Sequence, residues 1–69
     1  MKQAAYQRQL ILYLQNQSNS QAYDFAKQYV AEFPDDMIAH FLLAKAALAS
    51  GNFEEATHAA RKAFNLSKN

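Results

Sequence analysis

A helix-start signal recurs in this chain after 34 residues: Ser18 is followed by Gln21, and Asn52 by Glu55, each pair at the spacing of a capping box. In that motif the first side chain accepts from a free backbone N–H of the opening turn, and the later residue reaches back to the cap's own amide. A fixed period of a few tens of residues marks stacked supersecondary units rather than one free-form core. The chain has 69 residues, so this period leaves room for two such units.

Both units read as helical. Fourteen alanines stand against one glycine and one proline, and the β-branched residues are only Ile11, Val30, Ile38 and Thr57, which implies an all-α fold. Pro34, Gly51 and the polar run Asn16-Gln17-Ser18-Asn19-Ser20 separate four amphipathic stretches. These breaks predict helices over roughly 3–16, 19–33, 36–50 and 53–67. Asp35 and Asp36 precede the third helix, Glu54 and Glu55 open the fourth, and Arg61, Lys62 and Lys68 gather towards its end. That polarity suits the helix dipole and accounts for much of the charge without a ligand.

The same residues exclude several classes of function. A net charge of +1, with Lys2, Arg8, Lys27, Lys45 and the basic residues of the last helix spread along the chain, makes no stripe that follows a phosphate backbone. No nucleic acid is therefore expected as partner. The apolar run Leu10 to Leu14 is too short to span a bilayer, so no membrane partner is expected either, and a cytoplasmic location follows. Cysteine is absent, and His40 and His58 sit in different helices with no third ligand at metal-like spacing, so neither metal nor cofactor is expected. The acid pairs Asp35-Asp36 and Glu54-Glu55 stand at helix starts, where capping explains them, and no phosphate loop or nucleophile motif is present. The chain does not read as an enzyme.

Two helices per 34-residue unit resemble the tetratricopeptide repeat, whose pattern is Trp-x2-Leu-Gly-x2-Tyr, then Ala-x3-Phe, then a late proline. In the unit starting at Gln3, Tyr6, Tyr13, Ala22 and Pro34 match, while Gln9, Leu10, Ala26 and Tyr29 depart. In the unit starting at Met37, Leu43, Ala44, Ala56 and Ala63 match, and His40, Ala47, Ala60 and Lys68 depart. The resemblance implies two hairpins, about 3–36 and 37–69 within a single domain 1–69, forming four antiparallel helices of a right-handed α–α superhelix. Ala22, Ala44, Ala56 and Ala63 are then the close helix contacts. The departure at Gln9 and Leu10 implies a first helix rotated by one residue, with Leu10 and Leu14 inward.

In such arrays the first helix of each repeat lines a concave groove, which implies a protein-binding module: an adaptor, a scaffold or a small chaperone of the kind used by secretion systems. Carried over by position, the groove comprises Ala4, Gln7, Ile11, Leu14 and Gln15, then Ile38, Phe41, Lys45, Leu48 and Ala49, with Leu42 beside them. The candidate binding residues are Ile11, Leu14, Ile38, Phe41, Leu42, Lys45 and Leu48, and apart from Lys45 they form an apolar set of the kind that marks an interaction site. Gln7 and Ile11 stand where the family's carboxylate clamp has its polar residues, so the implied ligand is an apolar or amphipathic segment of a protein or peptide. The same stripe also reads as plain core, because a register shift of one residue exchanges inside for outside. A second function follows from the missing polar cap after Asn69: Phe53, Phe64 and Leu66 form a self-association face, and the chain homodimerises or assembles further through it, with no separate ligand.

Overall fold

The computed structural model describes residues 2–68. Four helices occupy them: α1 (Lys2–Gln15), α2 (Asn19–Glu32), α3 (Met37–Ala49) and α4 (Phe53–Ser67). Each lies within two residues of its expected span. Met1 and Asn69, the outer limits of the expected domain, lie outside the described residues.

α1 pairs with α2 and α3 with α4, and α3 also packs across both helices of the first hairpin. The slab measures 33 × 30 × 17 Å, and its thin dimension is less than two helix diameters of about 10–12 Å. Small side chains fill the contacts between the helices. Ala22, Ala26, Ala39 and Ala46 are fully buried, Ala56, Ala59 and Ala63 nearly so, and Ala44 is half-buried. Leu10 and Tyr29 are the two largest fully buried side chains. Leu10 points inward as its departure from the repeat pattern implied, and Leu14 packs half-buried against the same core.

The 34-residue period has a different local cause from the expected one. Neither Ser18 nor Asn52 makes a side-chain capping bond among the described residues; Asn52 Nδ2 instead donates to Ser50 Oγ at 2.9 Å. What recurs is the end of the preceding helix. Ser18 N–H donates to the Tyr13 carbonyl at 2.8 Å and Gln17 N–H to that of Leu14 at 3.2 Å. Asn52 and Gly51 repeat both bonds, to Ala47 and Leu48, at the same distances. This is the Schellman arrangement, in which a residue in the left-handed region closes the helix. Gln17 (φ 60°) and Gly51 (φ 86°) hold that position.

The expected carboxylate cap is found at α3: Asp36 Oδ1 accepts from Ile38 N–H at 2.9 Å. Glu54 and Glu55 lie in the first turn of α4, but its last turn holds no basic residue, because Arg61 and Lys62 fall a turn earlier and Lys68 is the C-cap. No helix among the described residues is long and apolar enough to cross a membrane.

Candidate functional site

The side-by-side placement of α1 and α3 leaves a cleft of about 440 Å³ between them, walled by Ile11, Leu14 and Gln15 on one side and by Leu42, Lys45 and Ala49 on the other. Ile11 is 45 % exposed, whereas Leu42 is buried, so Leu42 serves as floor rather than as an exposed contact. That corrects its place among the open groove residues. Leu42 falls on the α3 face that meets the first hairpin, where it shares the core with Ala39 and Ala46.

The structure divides the remaining groove candidates. Phe41 lines a second, more apolar cleft of about 350 Å³ with Met37, Ala60, Ala63, Phe64 and Ser67, between α3 and α4. Leu48 and Ile38 are exposed and line neither cleft, although Ile38 lies on the Lys45 side of α3 at helical spacing. Lys45 extends over the Phe41 ring, its Nζ 5.6 Å from the centroid, and so borders both regions. Gln7 is turned inward, with Nε2 donating to Tyr29 Oη at 2.8 Å.

On the last helix, Phe53 and Phe64 are exposed but Leu66 is half-buried. Two residues of helix amount to a rotation of about 200°, which carries Leu66 away from the Phe64 side and towards the face holding Ala59 and Ala63. Leu66 is thus removed from the expected self-association face.

Polar chemistry is concentrated at the junction of the hairpins. The Tyr29 hydroxyl donates to Asp36 Oδ2 at 2.5 Å while accepting from Gln7, which links α2, the cap of α3, and α1. Burial, reinforced by the hydrogen bond to the Asp36 carboxylate, pushes the Tyr29 phenol up to about 12 against the smaller opposing effect of Gln7. The Tyr6 phenol is also raised, by donating to Glu32, and Glu32 is lowered by that bond and by Lys2 at 3.3 Å. Tyr23 is raised by its bond to Glu55, 3.0 Å away on α4. These bonds were not foreseen, although Tyr29 departs from the repeat pattern at the position where Ala63, 34 residues on, matches it, and a buried phenol needs a partner.

His40 is buried, with Nε2 donating to the Pro34 carbonyl at 2.7 Å, a bond that holds the turn between α2 and α3. His58 is exposed. Among the described residues no three histidine or acidic side chains are grouped so as to hold a metal ion. The aromatic side chains of the first hairpin serve packing: Tyr6 stacks on Tyr29 at 4.9 Å with an interplanar angle of 2°, and Phe25 and Phe33 tilt against Tyr6.

Two short hairpins, each closed by the same helix ending and packed through alanines, thus present one cleft between their first helices and another on the outer end. No curated protein and no solved structure matches the chain. The family model described as tetratricopeptide repeat matches residues 13–64, more than half of the sequence and part of all four helices, and the chain belongs to the tetratricopeptide repeat family.

Proposed function

We propose that this chain is a protein-binding module, of adaptor or chaperone-like type, that holds an apolar or amphipathic segment of another protein in the cleft between α1 and α3. The observation that carries this reading is the cleft itself: an open apolar wall at Ile11 and Leu14 faces a cation at Lys45 across the Leu42 floor. A cleft with this lining suits one helix laid along it, anchored by apolar residues at three- and four-residue spacing, with an acidic residue reaching Lys45. Arg8, on α1, offers a second cation beside the site.

Panning a displayed library of twenty-residue peptides against the purified chain tests the reading. Enriched peptides should carry apolar residues at helical spacing together with an acidic residue. Ile11→Asp should abolish their binding, Lys45→Glu should exchange the acidic preference for a basic one, and Phe53→Asp should change neither. Retention of the same peptides by Ile11→Asp would place binding outside the cleft.

A further inference from the structure

The 34-residue period allows each position of the second hairpin to be compared with one in the first. Gln3, Gln7, Leu10 and Leu14 form a row along α1, and none of the four is exposed. Asn19, Tyr23, Ala26 and Val30 form the matching row on α2, and none of these is exposed either. The cover is α3, whose Ala39, Leu42 and Ala46 share a core with Leu10 and Ala26.

Adding 34 to each number gives Met37, Phe41, Ala44 and Leu48 on α3, then Phe53, Thr57, Ala60 and Phe64 on α4. All but Ala44 are exposed. The equivalent of a covered interface is therefore bare, and it is more apolar than its covered counterpart: Phe41 is 52 %, Leu48 59 %, Phe53 65 % and Phe64 60 % exposed. Met37, Phe41, Ala60 and Phe64 line one apolar cleft, and exposed apolar groups gathered in this way mark an interaction surface rather than scatter.

We propose that this end face is covered by the same face of a second copy, with the two α4 helices antiparallel about a two-fold axis. Phe53, Thr57, Ala60 and Phe64 recur at intervals of four, three and four residues, the spacing of a coiled-coil seam. Antiparallel pairing sets Phe53 opposite Phe64 of the second copy and Thr57 opposite Ala60. Glu54 and Arg61, both exposed and seven residues apart, flank one edge of this seam. The same pairing brings Glu54 of each copy beside Arg61 of the other, so the charges complement each other twice by symmetry. The Lys45 and Lys68 ammonium groups lie over the Phe41 and Phe64 rings, 5.6 and 5.2 Å from the centroids, and their flexible stems let them swing to the rim when the second copy docks.

A head-to-tail stack fits less well. It would place α1 of the second copy on this face, and the α1 residues equivalent to Ala39, Leu42 and Ala46 are Ala5, Arg8 and Leu12. Arg8 would enter the centre of the contact, where an unpaired buried guanidinium is costly. The outer face of the first hairpin thus sets a cation, Arg8, between Ala5 and the exposed Leu12, whereas the matching rows of the second hairpin hold no charged residue, an asymmetry that favours pairing of like ends.

Sedimentation equilibrium on the full chain over a wide concentration range tests this, with circular dichroism as the control for folding. The expected mass rises from one chain to two and stops there. Phe64→Asp and Phe53→Asp, both at exposed positions, should weaken the dimer about 30-fold or more while leaving helicity unchanged. Glu54→Lys and Arg61→Glu should each weaken it, and the two together should restore it. Ile11→Asp should leave the dimer intact, so failure of the cleft reading and failure of this one are separable. A mass of one chain throughout overturns the proposal; if that monomer binds a synthetic Met37–Ala49 peptide, the occupant is a further repeat-like helix instead. Growth beyond two chains, or a double charge reversal that does not restore the dimer, also overturns it.

Discussion

Gln17 and Gly51 occupy the same left-handed position, 34 residues apart, and close the first helix of each hairpin through matching pairs of backbone hydrogen bonds. Only Gly51 adopts this conformation without cost. A side chain with a Cβ at Gln17 meets the carbonyl crowding that disfavours left-handed backbone by about 1–2 kcal/mol, partly offset by the lower entropy of a non-glycine residue in the unfolded chain. Gln17→Gly should therefore stabilise the fold by about 0.5–1 kcal/mol. Gly51→Ala should destabilise it by a similar amount, and for backbone reasons alone, since a Cβ there meets nothing within 4 Å. Urea denaturation followed by circular dichroism measures both.

The Tyr29 phenol, raised to about 12, makes stability fall at alkaline pH. Its unfolded value is near 10, so the folded state holds the proton more tightly. The stabilisation is fully present below pH 10, and it is lost progressively as the pH rises from 10 to 12. At two pH units the full effect is on the order of 3 kcal/mol. Denaturation midpoints taken at steps between pH 9 and 12 should show the decline, and Tyr29→Phe should reduce it to the part contributed by the raised Tyr6 and Tyr23 phenols. At neutral pH that variant should cost about 1–2 kcal/mol, because the Asp36 carboxylate loses a donor.

Capping at the three helix starts should prove unequal. Asp36→Ala removes both the acceptor for Ile38 N–H and the partner of a buried phenol, which together should cost about 2–3 kcal/mol. Ser18→Ala and Asn52→Ala should each cost less than about 0.5 kcal/mol, because neither side chain caps its helix. Thermal denaturation of the three variants gives the order directly; equal losses would mean that Ser18 and Asn52 do cap in solution.

The sequence carries the helix spans because the breaks at Pro34, Gly51 and residues 16–20 are chemically strong and the intervening stretches are rich in alanine. It also carries the period, but not its cause: Ser18 and Asn52 have the composition of caps, whereas the recurring feature is the backbone turn just before them. The candidate site was less legible. α3 is apolar on nearly every side, so its periodicity selects no face, and only its seat across the first hairpin separates Leu42 as floor, Lys45 as cleft wall and Phe41 as outer surface. The inward turn of Leu66 was available from spacing alone, since Ala59, Ala63 and Leu66 recur at four and three residues.

Ala26 and Ala60 stand at the same position of their respective hairpins, yet one is wholly buried under α3 and the other is exposed. Identical changes should thus have opposite consequences. At Ala26 a leucine adds three carbons where the core leaves no room, and overpacking of this kind costs about 1–3 kcal/mol or forces α3 outward. At Ala60 the same leucine meets solvent beside Phe41 and Phe64, in a cleft wide enough to take it. Ala60→Leu should leave the stability of the monomer within about 0.5 kcal/mol of the parent. Measured by urea denaturation at a concentration low enough to hold the chain monomeric, the difference between the two variants reports how much of the fold depends on a neighbouring helix covering its outer face. Equal costs at the two positions would show that Ala60 is covered even in the single chain.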